Sequence, residues 1–70
     1  MAELIDARGL SCPQPVLLFL TAAKKMPDGS FTVLVDNEAS RENVSRAARN
    51  GGFAVDVTED GPDFRLDIHK

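Results

Sequence analysis

Seventy residues carrying eight lysines and arginines against eleven acidic side chains, a net charge of −3, make one domain spanning 1–70, near the lower size limit for a self-sufficient core. The acidic balance disfavours direct binding to nucleic acid, and a single cysteine excludes an internal disulfide, which points to a reducing compartment, the cytoplasm. The longest apolar run, Val16 to Leu20, falls far short of the roughly 20 residues of a membrane span, and Met1-Ala2-Glu3 has no basic segment before an apolar one, so neither anchoring nor export is expected.

Leu4 and Ile5 lie in a short segment ending at Asp6 that reads as an edge-length strand, followed by a turn at Arg8-Gly9. The stretch Gly9-Leu10-Ser11-Cys12-Pro13-Gln14-Pro15 then places the only cysteine where this strand hands over to a helix. Pro13 suits the first helical position, where its missing N–H would have no partner anyway. Pro15 still falls inside the first turn. Gln14 precedes a proline and is biased away from the α region, so helix starts at Pro13 and at Pro15 both stay open.

From Val16, the apolar residues Phe19, Leu20, Ala23 and Met26 recur at offsets of 3, 4, 7 and 10, a helix face suited to packing on a sheet. Thr21, Lys24 and Lys25 lie opposite. Leu17 and Leu18 project toward the polar side, and read either as a broad buried helix end or as an apolar rim where a partner docks. Pro27-Asp28-Gly29-Ser30 ends the helix. Phe31, Val33 and Val35 alternate with polar or outward positions and define a strand.

Asn37 to Ser40 offers cap residues for a second helix, whose face is Val44, Ala47, Ala48 and Gly51, with Gly51-Gly52 as its stop. Arg41, Arg46 and Arg49 gather three cations along it. Their ordinary reading is a solvated face, with Glu42 partly neutralising Arg46 at i,i+4; the alternative is a patch that binds a partner or RNA. Phe53, Val55 and Val57, then Phe64, Leu66 and Ile68, mark two more alternating strands joined by a loop at Glu59–Asp63. The order is βαβαββ, with both helices on one sheet face and Thr, Asp, Arg and His side chains on the other.

Cys12 is the one nucleophilic side chain in a special position. Unpaired amides and a positive dipole end favour a thiolate there, and with prolines at 13 and 15 only the amides near Gln14 and Val16 can face it. A surface helix terminus contributes about 0.3–1 kcal/mol, less than one unit of thiol pKa at 1.36 kcal/mol per unit. Arg8 or a docked partner would have to add the rest. A persulfide, R–S–S⁻, is intrinsically more acidic than a thiol, so the same frame holds it better. Dithiol exchange within the chain needs a second cysteine, and one cysteine with one histidine 57 positions away gives no metal site. His69 falls on the polar face of the last strand, a poor placement for a base serving Cys12. No cofactor motif is present.

With these residues in view, Asp6-Ala7-Arg8-Gly9-Leu10-Ser11-Cys12-Pro13-Gln14-Pro15 resembles the signature of the TusA/SirA (CPxP) sulfur-carrier family, and the likeness runs through essentially the whole chain. Val35-Asp36-Asn37-Glu38-Ala39-Ser40-Arg41-Glu42-Asn43-Val44 further resembles the N-terminal domain of YedF-like proteins, a branch associated with selenium metabolism. The resemblance implies an α/β two-layer sandwich with a four-stranded mixed sheet and two helices on one face. It implies that Cys12 carries sulfane sulfur as a persulfide, with Pro13 and Pro15 as its frame; Gly9, Arg8 and Gln14 are further positioning candidates read from their places beside it. The sulfur would come from a cysteine desulfurase or rhodanese-type donor and go to an acceptor sulfurtransferase, in pathways that in the family include tRNA thiolation, molybdenum-cofactor maturation and sulfur oxidation. Two alternatives are a non-catalytic binding module using Leu17, Leu18 or the three arginines, and a carrier of selenium on the same cysteine.

Overall fold

The computed structural model describes residues 3–10 and 14–70; the expected placement of Cys12 and Pro13 at the helix start lies outside the described residues. Strand β1 (Glu3–Asp6) leads to helix α1 (Gln14–Lys25), strand β2 (Phe31–Val35), helix α2 (Glu38–Asn50) and the strands β3 (Ala54–Asp60) and β4 (Asp63–His69). The sheet order is β1-β2-β4-β3. β1 runs parallel to β2, with Glu3 opposite Phe31, while β2–β4 and β4–β3 are antiparallel. This is the expected βαβαββ order and mixed sheet.

Period-two alternation in the strands sets the core. Phe31, Val33 and Val35 on β2 face Ile68, Leu66 and Phe64 on β4, and all but Phe64 are buried. Phe19 of α1 inserts against Phe31 and Phe53, the three rings meeting edge to face with centroids 5.6–5.9 Å apart, an arrangement their quadrupoles favour. The outer face is polar as expected: Thr32 donates to Asp67 at 3.0 Å, Arg65 pairs with Asp67 at 3.3 Å, and His69 approaches Asp56 at 3.3 Å.

Several expectations need correction. The buried side of α1 is Pro15 and Phe19, with Val16, Ala22 and Ala23 partly covered, whereas Leu20 and Met26 are exposed. The stripe is centred near Phe19, so Leu20 stands about 100° round from it, and Met26 follows the last helical residue. On α2 the buried face includes Ser40 and Ser45 along with Val44 and Ala48, while Gly51 is an exposed cap. β3 starts at Ala54, and its Val57, although on the core side, is 38% exposed because β3 is the sheet's edge. The β3–β4 loop shrinks to Gly61-Pro62, since the strands run through the pair Asp60–Asp63. Gly61 has φ +61°, as the first position of a two-residue primed turn requires, and the proline that follows fits the second position of type II′.

Candidate functional site

Because β1 and β2 are parallel and β4 is antiparallel to them, the starts of α1 and α2 and the Gly61-Pro62 turn gather at one end of the sheet. This is the carboxyl end of the parallel strands, where open α/β sheets place their sites. The segment that leads toward Cys12 is fastened there. Ala7 is fully buried and donates its N–H to Leu34 O at 2.8 Å. Gly9, at φ +80°, donates its N–H to Asp36 Oδ2 at 2.8 Å.

Asp36 continues the chain of bonds. Its Oδ1 accepts from Asn37 Nδ2 at 3.1 Å, and Asn37 Oδ1 caps α2 by accepting from Ser40 N at 2.8 Å. Loop and α2 are thus tied through two adjacent side chains. The amide of Gly9, with help from Asn37, holds the Asp36 carboxyl below the usual carboxylate range. Nothing local in the sequence marks Asp36 for this role, since its partner lies 27 residues away.

Arg8 is not a free cation. Its Nε and Nη2 grip both oxygens of Asp6 at 2.9 Å, and its Nη1 reaches Asp63 at 3.4 Å. The bidentate grip holds the Asp6 carboxyl down to about 2 and raises the guanidinium further above its ordinary value. With Asp6, Asp36 and Asp63 around one arginine, the described groups at this end are acidic on balance. Arg8 shapes the loop instead of lending positive charge to it.

Gln14 is exposed and Pro15 is buried under α1. Leu17 and Leu18 are 50% and 40% exposed, so they do not form a buried helix end. Leu17 joins Leu20, Ala47 and Phe53 along a largely apolar groove of about 500 Å³ between the helices, which Lys24 and Lys70 also line. Arg41 lies over the Phe64 ring at 5.4 Å and meets Glu38 at 3.5 Å, and Arg46 meets Glu42 at 3.7 Å, the pairing anticipated from spacing. These arginines and Arg49 line a separate groove on the far side of α2. Among the described residues no group of histidine, cysteine or acidic side chains is arranged to hold a metal, and no helix is long and apolar enough to cross a membrane.

A fold with these layers and this sheet order is found in the crystal structure of a SirA-like protein from Desulfitobacterium hafniense, which superposes with a TM-score of 0.87 at 33% identity over 94% of this chain and 93% of that one. The family model for sulfurtransferase TusA matches residues 3–70. The chain belongs to the TusA family. It is 35% identical over 68 residues to YedF of Escherichia coli K12, described as a candidate sulfur carrier protein, covering 94% of this chain and 88% of that one. A second candidate sulfur carrier, from Methanocaldococcus jannaschii, is 34% identical over 94% of this chain and 91% of its own length. The likeness to YedF therefore extends over nearly all of that protein.

Proposed function

We propose that this sulfur-carrier family member transports one sulfur atom as a persulfide on Cys12. The observation that carries the reading is the family match over residues 3–70, which includes the only cysteine, set in Cys12-Pro13-Gln14-Pro15. In the receiving step the Cys12 thiolate attacks the terminal sulfur of a donor protein's persulfide. A new S–S bond forms on Cys12 as the donor's breaks, and the donor leaves as a thiolate. Delivery repeats the exchange: an acceptor thiolate takes the terminal sulfur, and Cys12 leaves as thiolate. Neither step needs an outside oxidant or reductant.

Such exchange is governed by the leaving thiol's acidity and by access. The pinned Ala7 and Gly9 support it by fixing the approach to Cys12 in the chain, and exposed Leu17 and Leu18, five and six positions after Cys12, supply apolar area for a transient donor or acceptor. The test is intact mass after incubation with a cysteine desulfurase and free cysteine, beside the Cys12→Ser variant. A reductant-sensitive gain of sulfur in the unmodified chain alone is the expected result. No gain with several donors, from a folded protein whose thiol alkylates freely, would overturn the proposal.

A further inference from the structure

The apolar groove between α1 and α2 follows from where the chain puts its small and large side chains. Phe19 and Phe53, both buried, form its floor, while Ala23, Ala47 and Gly51 are too small to fill the space above them. Leu17 and Leu20 stand exposed along the α1 wall. The resulting concavity of about 500 Å³ lies inside the roughly 300–1,000 Å³ range of small-molecule sites. Its α1 wall from Leu17 to Lys24 is about 10 Å long at 1.5 Å per residue, room for a short aliphatic chain laid along the helix.

Charge at this groove has one sign. Lys24 and Lys70 are its ionisable lining residues among those described, with no carboxylate beside them in the lining, and neither forms an ion pair among the described residues. Lys70 Nζ lies 4.6 Å from the centroid of the Phe53 ring and donates to Gly51 O at 3.4 Å. These neutral partners hold an ammonium group at the edge of the groove without cancelling its charge. On a chain of net charge −3 this is a local positive site. Both helices also end here, at Lys25 and Asn50, and their carbonyl ends contribute roughly half a negative charge each. Two full ammonium charges outweigh them, so the preference for an anion rests on the two lysines.

We infer that this groove binds an aliphatic carboxylate, its chain along Leu17, Leu20 and Ala23 and its head group directed toward Lys24 and Lys70. Apolar area supplies most of the affinity and the ammonium groups select the head group. A partner protein fits less well, because a stable interface takes about 800 Å² from each side, about a fifth of this chain's 4250 Å² surface and far more than one short groove presents. A second copy fits less well too, since it would bring the same lysines against each other.

The probe is decanoate, titrated below its micelle concentration into the full chain and followed by heteronuclear NMR. Saturable shifts are expected at the amides of Leu20, Ala23, Ala47, Gly51 and Phe53, and octanoate should bind more weakly by up to about fourfold per methylene removed. Decyltrimethylammonium, with the same tail and the opposite charge, should bind about tenfold more weakly than decanoate, and Lys24→Glu combined with Lys70→Glu should reverse that order. Ala47→Leu, which fills the groove and keeps both lysines, should abolish decanoate binding while the native fingerprint persists. Equal affinity for the two head groups, decanoate binding unchanged by Ala47→Leu, or shifts spread over the whole chain would each overturn the inference. So would a groove that ignores decanoate and closes on a second copy or on an acidic amphipathic peptide.

Discussion

At the scale of single residues, two polar side chains carry opposite expectations. Asp6 is held ionised by Arg8 down to about 2, below the ordinary carboxylate value of 3.8 in the unfolded chain. The folded state therefore binds fewer protons through this window, so the stabilisation is complete above the unfolded value and is lost as pH falls from there through about 2. Melting temperature should be insensitive to this group at neutral pH and fall with acid across that range. Asp6→Asn should make the acid limb shallower, and a pH series of thermal melts measures it. Ser40 is the converse case. Its hydroxyl is buried and has no hydrogen-bond partner, a burden of about 1–3 kcal/mol. Ser40→Ala, which keeps the Asn37 cap because the capped group is the Ser40 backbone amide, should leave stability unchanged or raise it by about 1 kcal/mol in urea unfolding.

Among the elements, α1 depends on one anchor. Phe19 is its only fully buried large side chain and touches Phe31 of β2 and Phe53 ahead of β3. Phe19→Ala should cost about 3–5 kcal/mol, a large part of the stability of a domain this small, and urea titration followed by circular dichroism reads it directly. The phase of α1 was only partly legible beforehand. Offsets from Val16 located Phe19 and Ala23 correctly, but helical spacing alone admitted Leu20 and Met26, whose exposure depends on where the sheet lies and where the helix stops. Strand β2 was legible in full, since a covered strand alternates without ambiguity. Val57 was not, because the same alternation occurs on an edge strand, and only the pairing order reveals the edge. At the site, the Arg8-Gly9 turn was visible as a glycine after a charged residue at the close of a short strand. The hold of Asp36 on Gly9 and the reach of Arg8 to Asp63 arise from segments 27 and 55 residues apart brought together across the fold and leave no local trace, whereas Asp6 and Arg8 pair across two residues.

On the scale of the whole molecule, the sheet separates its surface features by end and by edge. The helix starts, the Ala7–Gly9 clamp and the acidic cluster share the carboxyl end of the parallel strands, the apolar groove lies between the helices, and the arginine groove flanks β3. Phe31 marks the opposite end: Glu3 of β1 pairs with it on one side and Ile68 of β4 on the other. Two strand spacings, about 10 Å, thus separate the first described strand residue from the close of the last strand. A short tether joining Glu3 to His69 would close residues 3–69 into a ring without touching the Ala7–Gly9 clamp. Such a circularised protein should keep the native NMR fingerprint and gain resistance to heat, because its unfolded chain has less freedom to recover; a fingerprint altered around Gly9 would show that the two ends of the sheet are mechanically linked.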